Sequence, residues 1–366
     1  MWRKEICLAS KQASKQASKQ ASKQASKQAS KQYNSIDLMK IIMSIAVIAI
    51  HTEPLVGCEN TAILSVYKVV TDLAVPFFFL SSGYLVFEKI LDLPKEIQKH
   101  RIKVYIKKIL QLYITWNILY LPITMYDYIL NGKSIIRNLF AFVKGLVFVG
   151  CHWNSWPLWY LLSVFYSFVL IYFCMYKKNF SKKIIIIIAG IIYLIANQFT
   201  ILIEQGNNIN RSLQKVTMLM ANIFENGRIF TGLFYIVAGL FIAYYRSDIL
   251  KSIYNKIFIL ILFCLSLYGK IVLEGLQERM ALAVLAVNFF ILSICLNIPN
   301  SKCWSLCRKL STKIFLLHMM VYSIFDIVVI KNRYAVGSVC FIVTALVTVL
   351  VSIVWNYLEI RITKKY

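Results

Sequence analysis

The chain has 366 residues, of which 59% are hydrophobic and 16% charged, at a mean hydropathy of +0.65. A water-soluble protein carries roughly 25% charged residues, so this composition excludes an assembly of soluble domains, and equally a disordered chain or a disulfide scaffold. Forty-one Lys and Arg against 16 Asp and Glu give a formal charge of +25, which in a polytopic membrane protein reflects cytoplasmic loops rather than nucleic-acid binding.

Residues 9–32 are six tandem copies of Ala-Ser-Lys-Gln. With no apolar face and a Lys in every unit, the repeat cannot hold a packed core, and residues 1–33 are expected to form a low-complexity cytoplasmic tail. The stretch after Arg3 and Lys4 is too short and too polar for the apolar region of a signal peptide. The codons GCA-AGC-AAG-CAA encode this unit and are also a repeated tetranucleotide. A gene written that way gains or loses units by slippage and is phase-variable; synonymous codons without that repeat would exclude the switch.

From residue 35 onward, apolar runs of helix-spanning length alternate with polar loops. The first predicted span, 36–52, contains Lys40 near its start and His51 near its end, followed by Glu53. Lys40 and His51 are eleven positions apart, about 16 Å along a helix axis and on nearly the same face. A Lys near a helix end commonly snorkels to the interface, so Lys40 has a bland reading beside a functional one. An imidazole suits general-base work near neutral pH, although a His at a helix end can also be merely interfacial.

The second span, 68–87, carries Pro76 and the small-residue patch Ser81-Ser82-Gly83, which permits close helix packing or a narrow lane for an acyl or pantetheine chain. A basic cluster follows, with Arg101, Lys107 and Lys108 among its members. It suits nucleotide phosphates, and anionic lipid heads would be drawn by the same charges. The third span is 105–125. Residues 138–150 are too short to cross and read as a re-entrant or interfacial segment. Three tryptophans, Trp153, Trp156 and Trp159, then open the fourth span at 157–176. They fit an interfacial aromatic belt or stacking on a sugar ring.

Further spans fall at 183–203, 228–245, 255–272, 280–297, 312–330 and 336–358, making an all-α bundle of about ten. His318 lies within the ninth, where a lone His among apolar neighbours is more often hydrogen-bonded in the bundle than catalytic. With the amino terminus in the cytoplasm, 29 of the 41 Lys and Arg fall in inner segments, so both termini are expected there. The membrane unit runs over 34–360, followed by a basic tail at 361–366. None of the nine cysteines has CxxC spacing, so no metal site is expected. Cys58 and Cys151 both fall outside and are open to pairing or to remaining free thiols.

Taken in order, Ile36 to His51, Ala74-Val-Pro-Phe-Phe-Phe-Leu-Ser-Ser-Gly-Tyr-Leu85, Trp156-Pro-Leu-Trp-Tyr-Leu161 and Leu316-Leu-His318 resemble the acyltransferase 3 family of ten-span membrane acyltransferases. The resemblance covers residues 34–358. It implies transfer of an acetyl group from cytoplasmic acetyl-CoA to a hydroxyl of a cell-surface or lipid-linked glycan, such as lipopolysaccharide or capsule, in the bacterial inner membrane. By that resemblance His51 and Lys40 are the catalytic candidates. Ser82, Gly83, Trp156, Trp159 and Glu53 are candidate substrate contacts, and Arg101, Lys107 and Lys108 candidate CoA contacts. Two departures stand out. Lys40 occupies the position of the family's Arg, losing the planar bidentate fork, and the family's Arg-x-x-Arg pair is not intact. The competing reading is an exporter or flippase of a polysaccharide or lipid-linked sugar, which should show related halves with broken helices; no such internal repeat is evident among the spans.

Overall fold

A backbone that must satisfy its polar groups without water can do so only in helices or closed barrels, and among the described residues all regular structure is helical. The computed structural model describes residues 33–363 apart from 131, 133, 207–209, 252, 300, 302 and 331–334. The Ala-Ser-Lys-Gln repeat and the last three residues of the basic tail lie outside that set.

In chain order the helices are α1 Asn34–Thr52, α2 Thr61–Phe87, α3 Lys95–Leu130, α4 Ile135–Lys144, α5 Leu158–Tyr172, α6 Lys182–Gln205 and α7 Arg211–Phe224. They continue as α8 Gly232–Tyr244, α9 Arg246–Lys251, α10 Ile253–Val272, α11 Gly275–Cys295, α12 Cys303–Phe325 and α13 Ser338–Thr363. Local chemistry sets several ends. The Asn60 side chain accepts from the N–H groups of Ala62 and Ile63 at 3.0 and 3.1 Å and starts α2, while Ser181 and Asn210 cap α6 and α7 in the same way. Helix α1 stops where Glu53 turns left-handed at φ 43°.

Among the described residues eight helices are long and apolar enough to cross a membrane, or nine if α7 and the segment Arg228–Tyr244, bent by 69° to each other, form one broken span. The expected count was ten, and the difference has two sources. Over 105–125 a helix does form, within the 36-residue α3, but its Tyr, Trp, Thr and Asn residues dilute the apolar signal. Over 228–245 the α-helix begins only at Gly232 and runs for 13 residues, about 20 Å and short for a bilayer core. Residues 138–150, expected to be too short to span, form the end of the 10-residue α4 and a π-helical turn over Gly145–Val149.

Helix α2 is the hub, packed by α1, α5, α8, α10 and α11. Its closest neighbour is α8, because two glycines let the backbones touch. A Cβ on Gly83 would strike the carbonyl of Ile236, and one on Gly239 would strike the carbonyl of Leu80 and lie 2.7 Å from the amide nitrogen of Tyr84. The surrounding interior is aromatic, with Phe77, Phe79, Tyr84, Phe87, Phe168 and Phe290 fully buried. At the periphery α10 and α13 keep large apolar side chains outward, Leu265 and Leu350 each 61% exposed. Such surfaces fit lipid and not water.

Because association inside a bilayer depends on packing rather than on a hydrophobic drive, the α2–α8 contact is vulnerable to added volume. Gly83→Val and Gly239→Val should each destabilise the bundle by about 1–3 kcal/mol or more, read as a lower thermal midpoint of the detergent-purified protein. The same exchange at Gly190, where a Cβ meets nothing within 4 Å, should leave that midpoint nearly unchanged.

Candidate functional site

The last turn of α1 is pinned by hydrogen bonds from outside the helix. Tyr67 Oη donates to the carbonyl of Ala49 at 2.8 Å, and the Gly337 N–H donates to that of Thr52 at 2.7 Å. Within the turn, Thr52 Oγ1 donates to Ile48 O at 2.8 Å. These contacts fix His51, whose ring stacks on His318 of α12 at 5.4 Å between centroids and 22° between planes. Trp156, just ahead of α5, closes the other side at 5.1 Å. His318 is fully buried with Nδ1 3.3 Å from the carbonyl of Ile314. A carbonyl can only accept, so Nδ1 carries the proton and Nε2, which has no hydrogen-bond partner, is left as an acceptor.

With Trp156 the imidazole pair therefore joins three segments far apart in sequence. The sequence patterns single out both residues, yet only the fold brings them together. Lys40, at the other end of α1, is not part of this cluster. It lies within electrostatic reach of Asp37, Arg308 and Lys89, beside the bidentate pair in which the Arg308 guanidinium donates to Asp37 at 2.7–3.2 Å.

On the α1 N-terminal side, the exposed Arg101, Lys107 and Lys108 project from the first half of α3. Between them and the histidines stands Ser82, whose Oγ is 2.8 Å from Tyr160 Oη and also meets the hydroxyl of Tyr105. Tyr160 packs on Phe315 at 5.2 Å, and Phe315 lies 6.3 Å from His318, so an aromatic wall runs from Ser82 to the imidazole pair. Gly83, next in sequence, faces the α8 backbone, and its missing side chain is what the helix contact needs.

On the opposite side are two cavities that share Asp72. One, of about 360 Å³, is lined by Glu53, Tyr67 and Thr71 among others. The second, of about 300 Å³, is lined by Trp159, Tyr193, Asn197, Arg228, Tyr235 and Arg279. The carboxylates of Asp72 and Glu204 there are taken up in two separate sets of ion pairs. Lys270, almost wholly buried, binds Asp72 at 2.7 Å and also Glu278, which takes Lys68 at 3.0 Å, while Arg279 binds Glu204 at 2.8 Å. Arg228 lies over the Trp159 ring at 5.0 Å and within electrostatic reach of His51.

Asp72, Arg228, Lys270, Glu278 and Arg279 are absent from the candidate list read from sequence. The available signal was their charge inside or beside apolar runs. Among the described residues no group of three or more His, Cys, Asp or Glu side chains is arranged to hold a metal. Cys58 and Cys151 are free thiols.

Residues 33–357 match a family model described as an acyltransferase domain. Similar curated proteins include an amino-acid racemase of Enterococcus faecalis, 27% identical over 65% of this chain and 31% of that protein, and a serine/alanine racemase of Enterococcus gallinarum, 27% identical over 77% of this chain and 40% of that protein. The chain thus covers less than half the length of these relatives. No solved structure matches it.

The loop that presents Trp156 is anchored by His152, whose N–H donates to Ser155 Oγ at 2.7 Å and whose ring stacks on Phe142 at 4.7 Å and 4°. Burial pushes the His152 pKa down to about 4. An unfolded His titrates near 6.5, so below that pH the unfolded state takes up a proton that the folded state refuses, and stability falls as pH drops from about 6.5 toward 4. The thermal midpoint in detergent should therefore fall between pH 7 and pH 5, and His152→Phe should flatten that slope.

Proposed function

This chain belongs to the acyltransferase 3 family, and from that premise we propose that it is an O-acetyltransferase moving an acetyl group from cytoplasmic acetyl-CoA to a hydroxyl of a cell-surface or lipid-linked glycan. The observation that carries the reading is the His51–His318 stack, closed by Trp156, standing between a basic face and a pair of polar cavities. In this reading the chain makes ten passes of a bacterial inner membrane with both termini in the cytoplasm, and the Ala-Ser-Lys-Gln tract switches its expression.

The nucleotide of CoA rests on Arg101, Lys107 and Lys108, which are exposed along one helix and can neutralise its phosphates. Lys40 extends that positive field to the first turns of α1. The thioester arm reaches past Ser82 toward His51, while the acceptor enters from the cavities, its ring against Trp156 or Trp159 and its approach bordered by Glu53. His51 takes the proton of the acceptor hydroxyl as that oxygen bonds to the thioester carbonyl carbon. The carbon–sulfur bond then breaks, and CoA leaves as the thiol with the proton returned by the imidazolium. His318, bonded to Ile314 and stacked on His51, is a positioning residue that fixes the ring plane.

The test is mass spectrometry of lipopolysaccharide and capsule from cells carrying the intact gene, a deletion or His51→Ala. An ester-labile acetyl increment present with the intact gene and lost in the other two is expected. Loss of the base should lower transfer by about 10²–10⁴-fold with the protein still in the membrane. Unchanged acetylation together with a lower surface amount of one polymer would replace this reading with the exporter.

A further inference from the structure

The 300 Å³ cavity carries an uneven set of charges. Asp72 is held by Lys270 and Glu204 by Arg279, so both carboxylates that line it already have cations, and Arg279 is spent on Glu204. Arg228 lines the same cavity, and among the described ion pairs it takes no carboxylate. Its guanidinium is positioned rather than loose, over the indole of Trp159 at 5.0 Å, with Nη2 3.3 Å from the Sγ of Cys151. A thiol is a weak acceptor, and Nε is buried with no hydrogen-bond partner. A cation with its donors largely unused, held over an aromatic face in a polar cavity, is fitted to a planar or tetrahedral anion that can accept two hydrogen bonds at once.

We propose that Arg228 makes this cavity a subsite for an anionic sugar, so that the acceptor carries a carboxylate or phosphate close to the hydroxyl that is acylated. The inference rests on the acetyltransferase reading for the word acceptor, but the subsite itself stands on the cavity. Its size suits one sugar ring, with Trp159 offering a stacking face and Tyr193, Tyr235 and Asn197 polar groups for hydroxyls. Arg228 lies over Trp159, three residues along the chain from the Trp156 that packs on His51, which puts the anion-binding group on the reaction-centre side of the bundle rather than at a remote surface.

The experiment uses the full chain in nanodiscs, with intrinsic tryptophan fluorescence read against glucuronate, glucose 6-phosphate and glucose. At least one of the two anionic sugars should bind about tenfold or more tighter than glucose, and which one does so separates carboxylate from phosphate recognition. Arg228→Gln should abolish that preference, Arg228→Lys should restore part of it, and His51→Ala should leave it intact. Equal binding of all three sugars, no binding of any, or a preference surviving in Arg228→Gln would overturn the proposal. The wild-type comparison decides the matter even if the Gln variant fails to fold. An anionic preference in a protein whose deletion leaves glycan acetylation unchanged would sink the acetyltransferase reading and leave the subsite standing.

Discussion

A charged side chain at the centre of a bilayer costs about 2.5–3.5 kcal/mol on insertion scales, and this bundle meets that cost by pairing. Asp37 is taken by Arg308, Glu88 by Arg246 and Tyr33, Asp72 and Glu278 by Lys270, and Glu204 by Arg279. All but Lys270–Glu278 tie elements that are remote in sequence, and together they lie toward the two ends of the bundle, leaving an aromatic middle. Lys40, His51, His318 and Arg228 stand apart, because no described ion pair includes them. His318 is held instead by the carbonyl of Ile314, and Arg228 by the Cys151 thiol and the Trp159 ring.

Their distribution gives the bundle two sides and a meeting point. Lys40 lies on the same side as the exposed basic stretch of α3, with Ser82, Tyr105 and Tyr160 further in. Arg228 and the polar cavities lie on the other. His51 stands between them because α1 ends there, and it is fixed because Tyr67 and the backbone of Gly337 hold the carbonyls of its last turn. The α2–α8 glycine contact sets the spacing on which this depends, since α2 carries Ser82 toward one side and Asp72 toward the other.

Much of this was legible in the sequence, and the limits are physical. Apolar runs locate most helices, because hydropathy and length are sufficient for a bilayer, and α3 is located too, although the Tyr, Trp and Asn residues it turns inward dilute its apolar run. Tyr120, for example, donates to the carbonyl of Leu316 at 2.8 Å. His51 was readable as a polar residue at the end of an apolar helix, and the eleven-residue spacing already put Lys40 at the far end of the same rod. The His51–His318 stack was not readable, nor was the Asp37–Arg308 pair, whose members are 271 positions apart, since periodicity carries no information on which helices become neighbours. Gly83 had two readings in sequence, and the α8 carbonyl beside it accounts for its size by packing. Arg228 escaped notice because it lies at the edge of a predicted span, where an Arg is ordinarily a solvated charge.

The central claim is that one bundle joins a donor on its basic face to an acceptor on the opposite face. Proteoliposomes with acetyl-CoA carrying a labelled acetyl group sealed inside, and isolated surface glycan supplied only outside, test it directly, in a population oriented with the α3 basic stretch inward. The account predicts ester-linked label on the outer glycan and free CoA inside. Label appearing only when donor and acceptor share one compartment, or acetyl-CoA consumed equally well from the cavity side, would contradict it.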